Sequence, residues 1–154
     1  MTMGASSLYD MVVIGASAGG LYALSFLFEA LPEDYPVPIA VVQHRSKDQK
    51  ELLEDVLRHK CLIAVQQAEE KESIRPGVVY IAPPDYHLLI ESDRTFSLTS
   101  DELVNYSRPS IDVLFESASA VFGARLAGII LTGANADGAA GISALSKRGG
   151  MTIA

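Results

Sequence analysis

The chain has 154 residues, of which 49% are hydrophobic and 20% charged, enough to build the buried core of one domain. Its formal net charge of −7 argues against a nucleic-acid surface and against docking onto anionic lipid, since both need clustered Lys and Arg. Cys61, the only cysteine, can form no internal disulfide and has no CxxC partner for a metal site.

Residues 1–10 lack the pattern of a signal peptide, and no apolar run approaches the roughly 20 residues that span a bilayer. We therefore expect a cytoplasmic protein without membrane insertion and without a nucleic-acid partner. Residues 1–154 are predicted to form a single domain.

The first 60 residues alternate between short apolar runs and segments with helical spacing. The runs at residues 11–14 and 39–42 have no polar position, which is typical of strands covered on both faces. Residues 21–31 and 48–60 carry apolar side chains at helical spacing. Strand, helix, strand, helix predicts an α/β fold with a doubly wound, mostly parallel sheet in a Rossmann-like three-layer arrangement.

The middle of the chain reads differently. Four short strands are predicted, and Gly, Pro and Asp residues separate them. We interpret this part as a small antiparallel, hairpin-rich insertion. The four predicted strands are residues 62–65, 78–82, 87–91 and 95–99.

The last third returns to the alternating pattern. A helix is predicted to begin near Pro109, followed by a strand at 126–131, a helix at 139–147 and a strand at 151–154. The last strand stops as soon as it begins. We therefore predict that the domain lacks its C-terminal end.

A G-x-S-x-G pattern surrounds Ser17, between a predicted strand and a predicted helix. Such a turn presents a serine hydroxyl at the carboxyl end of a sheet, beside unpaired amides of the helix N-terminus. Amides in that position could also stabilise the oxyanion of acyl transfer. Ser17 is therefore a candidate nucleophile.

A dinucleotide-binding turn is the alternative for this loop. That fingerprint requires glycine where Ser17 stands and an acidic residue near the end of the second strand, which here reads Gln43-His44-Arg45. A basic strand end could still accommodate a 2′-phosphate. The nucleotide-binding interpretation stays open at this point.

His44 ends the second predicted strand, whose carboxyl end should face the same crevice as Ser17. It could then act as the general base for the serine. His59 and His87 are interpreted as structural.

Asp137 follows the strand at 126–131. It could cap the next helix, or its carboxylate could orient His44 and stabilise the imidazolium. The order Ser–His–Asp excludes the α/β-hydrolase fold as the source of the pattern.

Five ordered motifs resemble the catalytic domain of the chemotaxis protein-glutamate methylesterases, the CheB family. The resemblance covers the chain from about residue 10 onward. The motifs are VIGASAGG (13–20), VVQH (41–44), YIAPPDYHLL (80–89), RPSIDVLF (108–115) and LTGANADGAAG (131–141).

The resemblance implies a serine esterase with Ser17 as nucleophile, His44 as base and Asp137 as the orienting carboxylate. Its implied substrate is a glutamate γ-methyl ester on the cytoplasmic helices of methylated chemoreceptors, and glutamine deamidation is implied for some members. No metal or organic cofactor is implied. Backbone amides near Ala18 and Ala134 are our candidates for the oxyanion site.

The chain departs from the family pattern in four respects. Ala18 stands where a small hydroxyl residue is frequent, and Ala134-Asn135-Ala136 replaces the usual methionine, glycine and asparagine. We further expect that no receiver domain precedes this unit and that roughly the last few dozen residues of the family domain are missing. A catalytically weak, methylesterase-like binding domain is therefore a further alternative.

Overall fold

The computed structural model describes residues 8–17, 20–44, 53–131 and 136–154. Six strands form one parallel sheet in the order β3–β4–β2–β1–β7–β8, and two form an antiparallel hairpin, β5–β6. The strands are β1 Met11–Ala16, β2 Ile39–Gln43, β3 Ala64–Gln67, β4 Val78–Ile81, β5 His87–Ile90, β6 Phe96–Thr99, β7 Leu126–Leu131 and β8 Met151–Ile153. The helices are α1 Gly20–Glu29, α2 Leu53–Arg58, α3 Ile111–Phe122 and α4 Ala139–Lys147, with a short 3₁₀ turn at Gly123–Arg125.

The sheet is covered on both faces, which confirms the predicted three-layer α/β fold. On one face α1 and α2 enclose an apolar cluster, and on the other face α3, α4 and the hairpin enclose a second one. Neighbouring residues of the central strand serve the two clusters: Val13 belongs to one and Ile14 to the other, and both are 0% exposed. Burial on both sides explains why β1 carries no polar residue.

The interpretation of the middle segment was partly wrong. Of the four predicted strands, only β5 and β6 form an antiparallel hairpin, whereas β3 and β4 pair in parallel with each other and join the main sheet through β2. The chain crosses from β3 to β4 through residues 68–77, which contain no helix. Parallel neighbouring strands are usually connected by a helix. Because no helix connects β3 and β4, their parallel pairing was not predicted. The fully buried, apolar β4 was the signal for a sheet interior.

The predicted boundaries of the other elements hold to within a few residues. β1 runs two residues beyond its prediction, through Gly15 and Ala16, because both pair with β2 and β7. The helix predicted at 48–60 is described only as α2, since residues 45–52 lie outside the described part. Of the described helices, α3 is the longest with 12 residues, and none of them has the length and apolar character to cross a bilayer.

Gly15 allows α3 to approach the end of β1. A Cβ at this position would lie 2.5 Å from Cγ2 of Ile111, the first residue of α3. A side chain at this position would require Ile111 to shift. The glycine therefore brings the N-terminus of α3 to the carboxyl edge of the sheet, close to Ser17.

Candidate active site

Ser17 and His44 directly follow the last residues of two neighbouring strands, at the same level of the sheet. β1 and β2 are paired in parallel with Ala16 opposite Gln43, and Ser17 and His44 are the next residues of each strand. The backbone N–H of His44 donates to the carbonyl of Ala16 at 2.8 Å, which continues the ladder by one bond. The two residues therefore lie side by side at the carboxyl edge of the sheet.

The backbone turns sharply at Ser17. The N–H of Gly20, the first residue of α1, donates to the Ser17 carbonyl at 2.9 Å. Three residues thus separate the end of β1 from the beginning of α1. This is the strand-to-helix turn that the G-x-S-x-G pattern predicted.

His44 and Asp137 form a side-chain hydrogen bond although they lie 93 positions apart in the chain. His44 Nε2 lies 2.7 Å from Asp137 Oδ2, and the two side chains are 13% and 0% exposed. An ionised carboxylate can only accept, so Nε2 carries the proton and donates it to Asp137. This contact fixes the orientation and the tautomer of the imidazole.

The carboxylate of Asp137 faces the N-terminus of α3. Its Oδ2 accepts from the backbone N–H of Ile111 at 2.6 Å, in addition to His44. Its Oδ1 accepts from the N–H of Asp112 at 3.1 Å and from the Ser110 hydroxyl at 2.7 Å. Unpaired amides at a helix N-terminus favour an anion, so this site stabilises the charged form of Asp137.

These donors determine the ionisation of Asp137. Burial by itself would raise the pKa of the carboxyl group, but the hydrogen bonds from His44, from the two α3 amides and from Ser110 outweigh it and lower the pKa from 3.8 to about 2. Asp137 is therefore ionised at neutral pH.

One interpretation of Asp137, as the N-cap of the helix that follows it, was wrong. The N-cap of α4 is Gly138, at φ 112°, which has no side chain that could cap the helix. The N-terminus of α4 is capped instead by Asp112, whose Oδ1 accepts from the N–H groups of Gly138 at 2.9 Å and Gly141 at 2.7 Å. Asp137 caps α3, not α4.

Sequence reasoning missed the residues that support this carboxylate. Ser110 is the N-cap of α3 and is 0% exposed, and Asn105 donates from its side-chain amide to both Asp112 and Asp137. A Ser one residue after a Pro, directly before an apolar helix, was a local N-cap signal for Ser110. Asn105 gave no such signal, because its partners lie 7 and 32 residues away.

His87 lies beneath this network. It is 1% exposed, its Nδ1 accepts from the backbone N–H of Ser110 at 3.2 Å, and its Nε2 donates to the Glu102 carbonyl at 2.8 Å. Both ring nitrogens are thus used in holding the backbone before α3. The prediction that His87 is structural agrees with these contacts.

Part of the predicted site lies outside the described residues. This applies to the oxyanion amides near Ala18 and Ala134 and to the unusual residue Asn135. Among residues 8–17, 20–44, 53–131 and 136–154, no group of three or more His, Cys, Asp or Glu side chains is arranged to hold a metal ion.

Comparison with known proteins identifies the family. The model described as "CheB methylesterase" matches residues 12–154 of this chain. The chain belongs to the CheB methylesterase family. The crystal structure of the Thermotoga maritima CheB methylesterase catalytic domain is similar, with a TM-score of 0.90 at 34% identity, covering 95% of this chain and 79% of that one. The resemblance drawn from the sequence motifs is thereby confirmed.

Curated relatives extend this comparison. A Leptospira interrogans protein is 49% identical over 145 residues, covering 94% of this chain and 75% of that protein. The protein-glutamate methylesterase/protein-glutamine glutaminase of Halalkalibacterium halodurans is 44% identical, and the protein-glutamate methylesterase FrzG of Myxococcus xanthus is 40% identical. The match covers 90% and 95% of this chain, but only 41% and 44% of those two relatives.

Proposed function

We propose that this CheB-family chain is a serine esterase that hydrolyses γ-methyl esters of glutamate on chemoreceptors. The observation that carries the proposal is the 2.7 Å contact of His44 with the ionised Asp137, at the sheet edge where Ser17 is the neighbour of His44. Family relatives bear the name protein-glutamate methylesterase, which supports the substrate class. In this scheme Ser17 is the nucleophile, His44 the general base and Asp137 the orienting group.

In the first half of the reaction, the Ser17 hydroxyl attacks the ester carbonyl. Its proton passes to His44, and Nδ1 is the ring nitrogen that fits this role because Nε2 donates to Asp137. The tetrahedral intermediate then collapses. The methoxy group takes the proton from the imidazolium and leaves as methanol, so that the glutamyl side chain is held as an ester of Ser17.

In the second half, water attacks the acyl-enzyme. His44 takes a proton from the water and returns it to the Ser17 oxygen as the acyl bond breaks, which releases the free glutamate side chain. Throughout, the anion of Asp137 stabilises the transient imidazolium. No metal or organic cofactor takes part in this scheme.

A glutamine side chain fits the same sequence of steps, with ammonia leaving in place of methanol. The relative from Halalkalibacterium halodurans is also named for protein-glutamine glutaminase activity, which supports this second reaction. We therefore include deamidation of receptor glutamines in the proposed function.

The proposed partners are the cytoplasmic helices of methylated chemoreceptors, which would place the chain in the cytoplasm. We further propose that residues 1–154 act as one catalytic domain. The negative net charge supports an interaction through protein contacts and not through nucleic acid or anionic lipid.

A fluorophosphonate probe tests the proposed nucleophile directly. We expect a covalent adduct at Ser17, located by mass mapping, that is lost in Ser17→Ala and in His44→Ala. Methylated receptor membranes should release methanol with the wild-type chain, whereas Ser17→Ala should lower the rate by at least about a thousandfold. Ser146→Ala, an exposed serine of α4, is the matched control and should keep full activity.

Other outcomes would favour the two alternatives. Absence of an adduct together with NADP binding by calorimetry would indicate a nucleotide-binding module. Absence of both would indicate a methylesterase-like domain that binds a partner without turnover. Methanol release at the wild-type rate from Ser17→Ala would refute the nucleophile assignment.

A further inference from the structure

Asn105 and Tyr106 form the centre of a tight two-residue turn. The backbone N–H and carbonyl groups of Val104 and Ser107 pair with each other at 3.0 and 2.9 Å. Between them Asn105 has φ 51° and Tyr106 has φ 63°, both in the left-handed region. Two successive left-handed residues are typical of a type I′ turn, which favours Asn because most side chains are strained there.

The side chains of the two central residues differ in their partners, although both residues are exposed. Tyr106 is 98% exposed, whereas the side-chain amide of Asn105 reaches two carboxylates. Its Nδ2 donates to Asp112 Oδ2 at 2.8 Å and to Asp137 Oδ1 at 3.2 Å. An NH₂ group has two hydrogens, so one amide can serve both anions and hold them together.

The two oxygens of Asp137 have different partners. Asn105 and Ser110 donate to Oδ1, and Oδ2 is the oxygen that contacts His44. A rotation of the carboxylate about its terminal bond moves both oxygens together, so the hydrogen bonds to Oδ1 also oppose a displacement of Oδ2 from the imidazole. Asn105 approaches Oδ1 from the turn, whereas Ser110 approaches it from α3.

We propose that Asn105 is a positioning residue for the reaction, which fixes the rotation of the Asp137 carboxylate and so the direction of the imidazole of His44. This inference rests on the proposed esterase function. The residue type fits both requirements, since Asn adopts the left-handed backbone of the turn and also supplies two donors. Ser110 and the α3 amides share the task, so the effect of Asn105 is partial.

Two variants distinguish the contribution of the Asn105 side chain from that of the backbone turn. Asn105→Gly removes the amide and keeps the positive φ without strain. Asn105→Asp keeps the shape and the turn preference, but presents an acceptor to two carboxylates. In methanol release from methylated receptor membranes, we expect kcat to fall about tenfold for Asn105→Gly and further for Asn105→Asp, with KM within about twofold.

Proton NMR of the substrate-free protein, labelled with ¹⁵N-histidine, gives a readout that does not depend on activity. The hydrogen-bonded Nε2 proton of His44 should appear downfield and is assigned by its loss in His44→Ala. We expect this signal to shift or broaden in both Asn105 variants. The Nε2 proton of His87, which donates to Glu102, should stay unchanged and serves as the internal control.

The outcomes distinguish a failure of the positioning role of Asn105 from a failure of the proposed esterase function. A change confined to the His44 signal supports the positioning role, even if the chain proved to have no esterase activity. Shifts of both histidine signals would mean that Asn105 merely holds the loop, and an unchanged His44 signal would mean that Asp137 is fixed without it. Either of these last two results overturns the inference.

Discussion

Asp112, a residue of α3, caps the N-terminus of α4, and Asp137, which precedes α4, caps the N-terminus of α3. Asp137 directly precedes the N-cap of α4 but accepts from the backbone of α3, whereas Asp112 lies in the first turn of α3 but accepts from the backbone of α4. Each carboxylate thus stabilises the start of the helix to which it does not belong. The position of the proposed orienting group is thereby tied to the docking of the two helices.

Removal of one cap tests this arrangement. Asp112 is 5% exposed, and Asp112→Ala would leave the N–H groups of Gly138 and Gly141 and the amide of Asn105 without this acceptor. Buried donors that lose an acceptor charge are costly, so we expect a loss of about 2–3 kcal/mol in the free energy of unfolding, measured in urea.

Asp55→Ala is the control for that measurement. Asp55 pairs with Arg58 on the exposed side of α2, and its side chain is 57% exposed. Surface ion pairs contribute little, so its loss should cost no more than about 1 kcal/mol. Equal losses of stability in Asp112→Ala and Asp55→Ala would contradict the capping of α4 by Asp112.

Asp137→Asn should affect both turnover and stability. The neutral amide keeps the size of the side chain. Its NH₂ group, however, replaces one acceptor oxygen and would face the N–H donors of α3 or of His44. We expect turnover to fall by about 10⁴-fold, as for triads that lose the correct tautomer, with a loss of about 2–4 kcal/mol in stability. Methanol release and urea unfolding measure the two effects, and unchanged turnover would exclude the assigned role.

The low pKa of Asp137 predicts a pH dependence of stability. The pKa lies at about 2 in the folded protein against about 3.9 in an unfolded chain, so the folded state favours the ionised form. This contribution of about 2–3 kcal/mol is fully present above roughly pH 5 and is lost as the pH falls through 4 to 2. Unfolding experiments should show the difference between wild type and Asp137→Asn shrinking over that range; a constant difference would be inconsistent with an ionised, hydrogen-bonded carboxylate.

Gly15→Ala tests the close approach of α3 to β1. The new Cβ would overlap with Ile111, and we expect a loss of about 1–3 kcal/mol in stability and a reduced turnover, since α3 carries the donors to Asp137. Ile111→Ala should tolerate the added methyl group. A double-mutant cycle in urea should therefore show a favourable coupling between the two sites, and additive costs would argue against the contact.

The main elements near the site could be predicted from the sequence. The apolar runs of β1, β2 and β7 identified strands buried on both faces, and the polar residues that follow them identified the edge where Ser17, His44 and Asp137 lie. The pairing of β3 with β4 was predicted wrongly, because no helix connects the two strands, although the uniformly apolar β4 indicated a strand of the sheet interior.

The sequence by itself determined the order of strands and helices, the turn at Ser17 and the family, because short-range apolar spacing and motifs encode them. The tertiary structure alone decided which helix Asp137 caps and which of its oxygens faces His44. These contacts join residues 25 to 93 positions apart, and their partners are chosen by how α3 and α4 pack on the sheet, which no local pattern records.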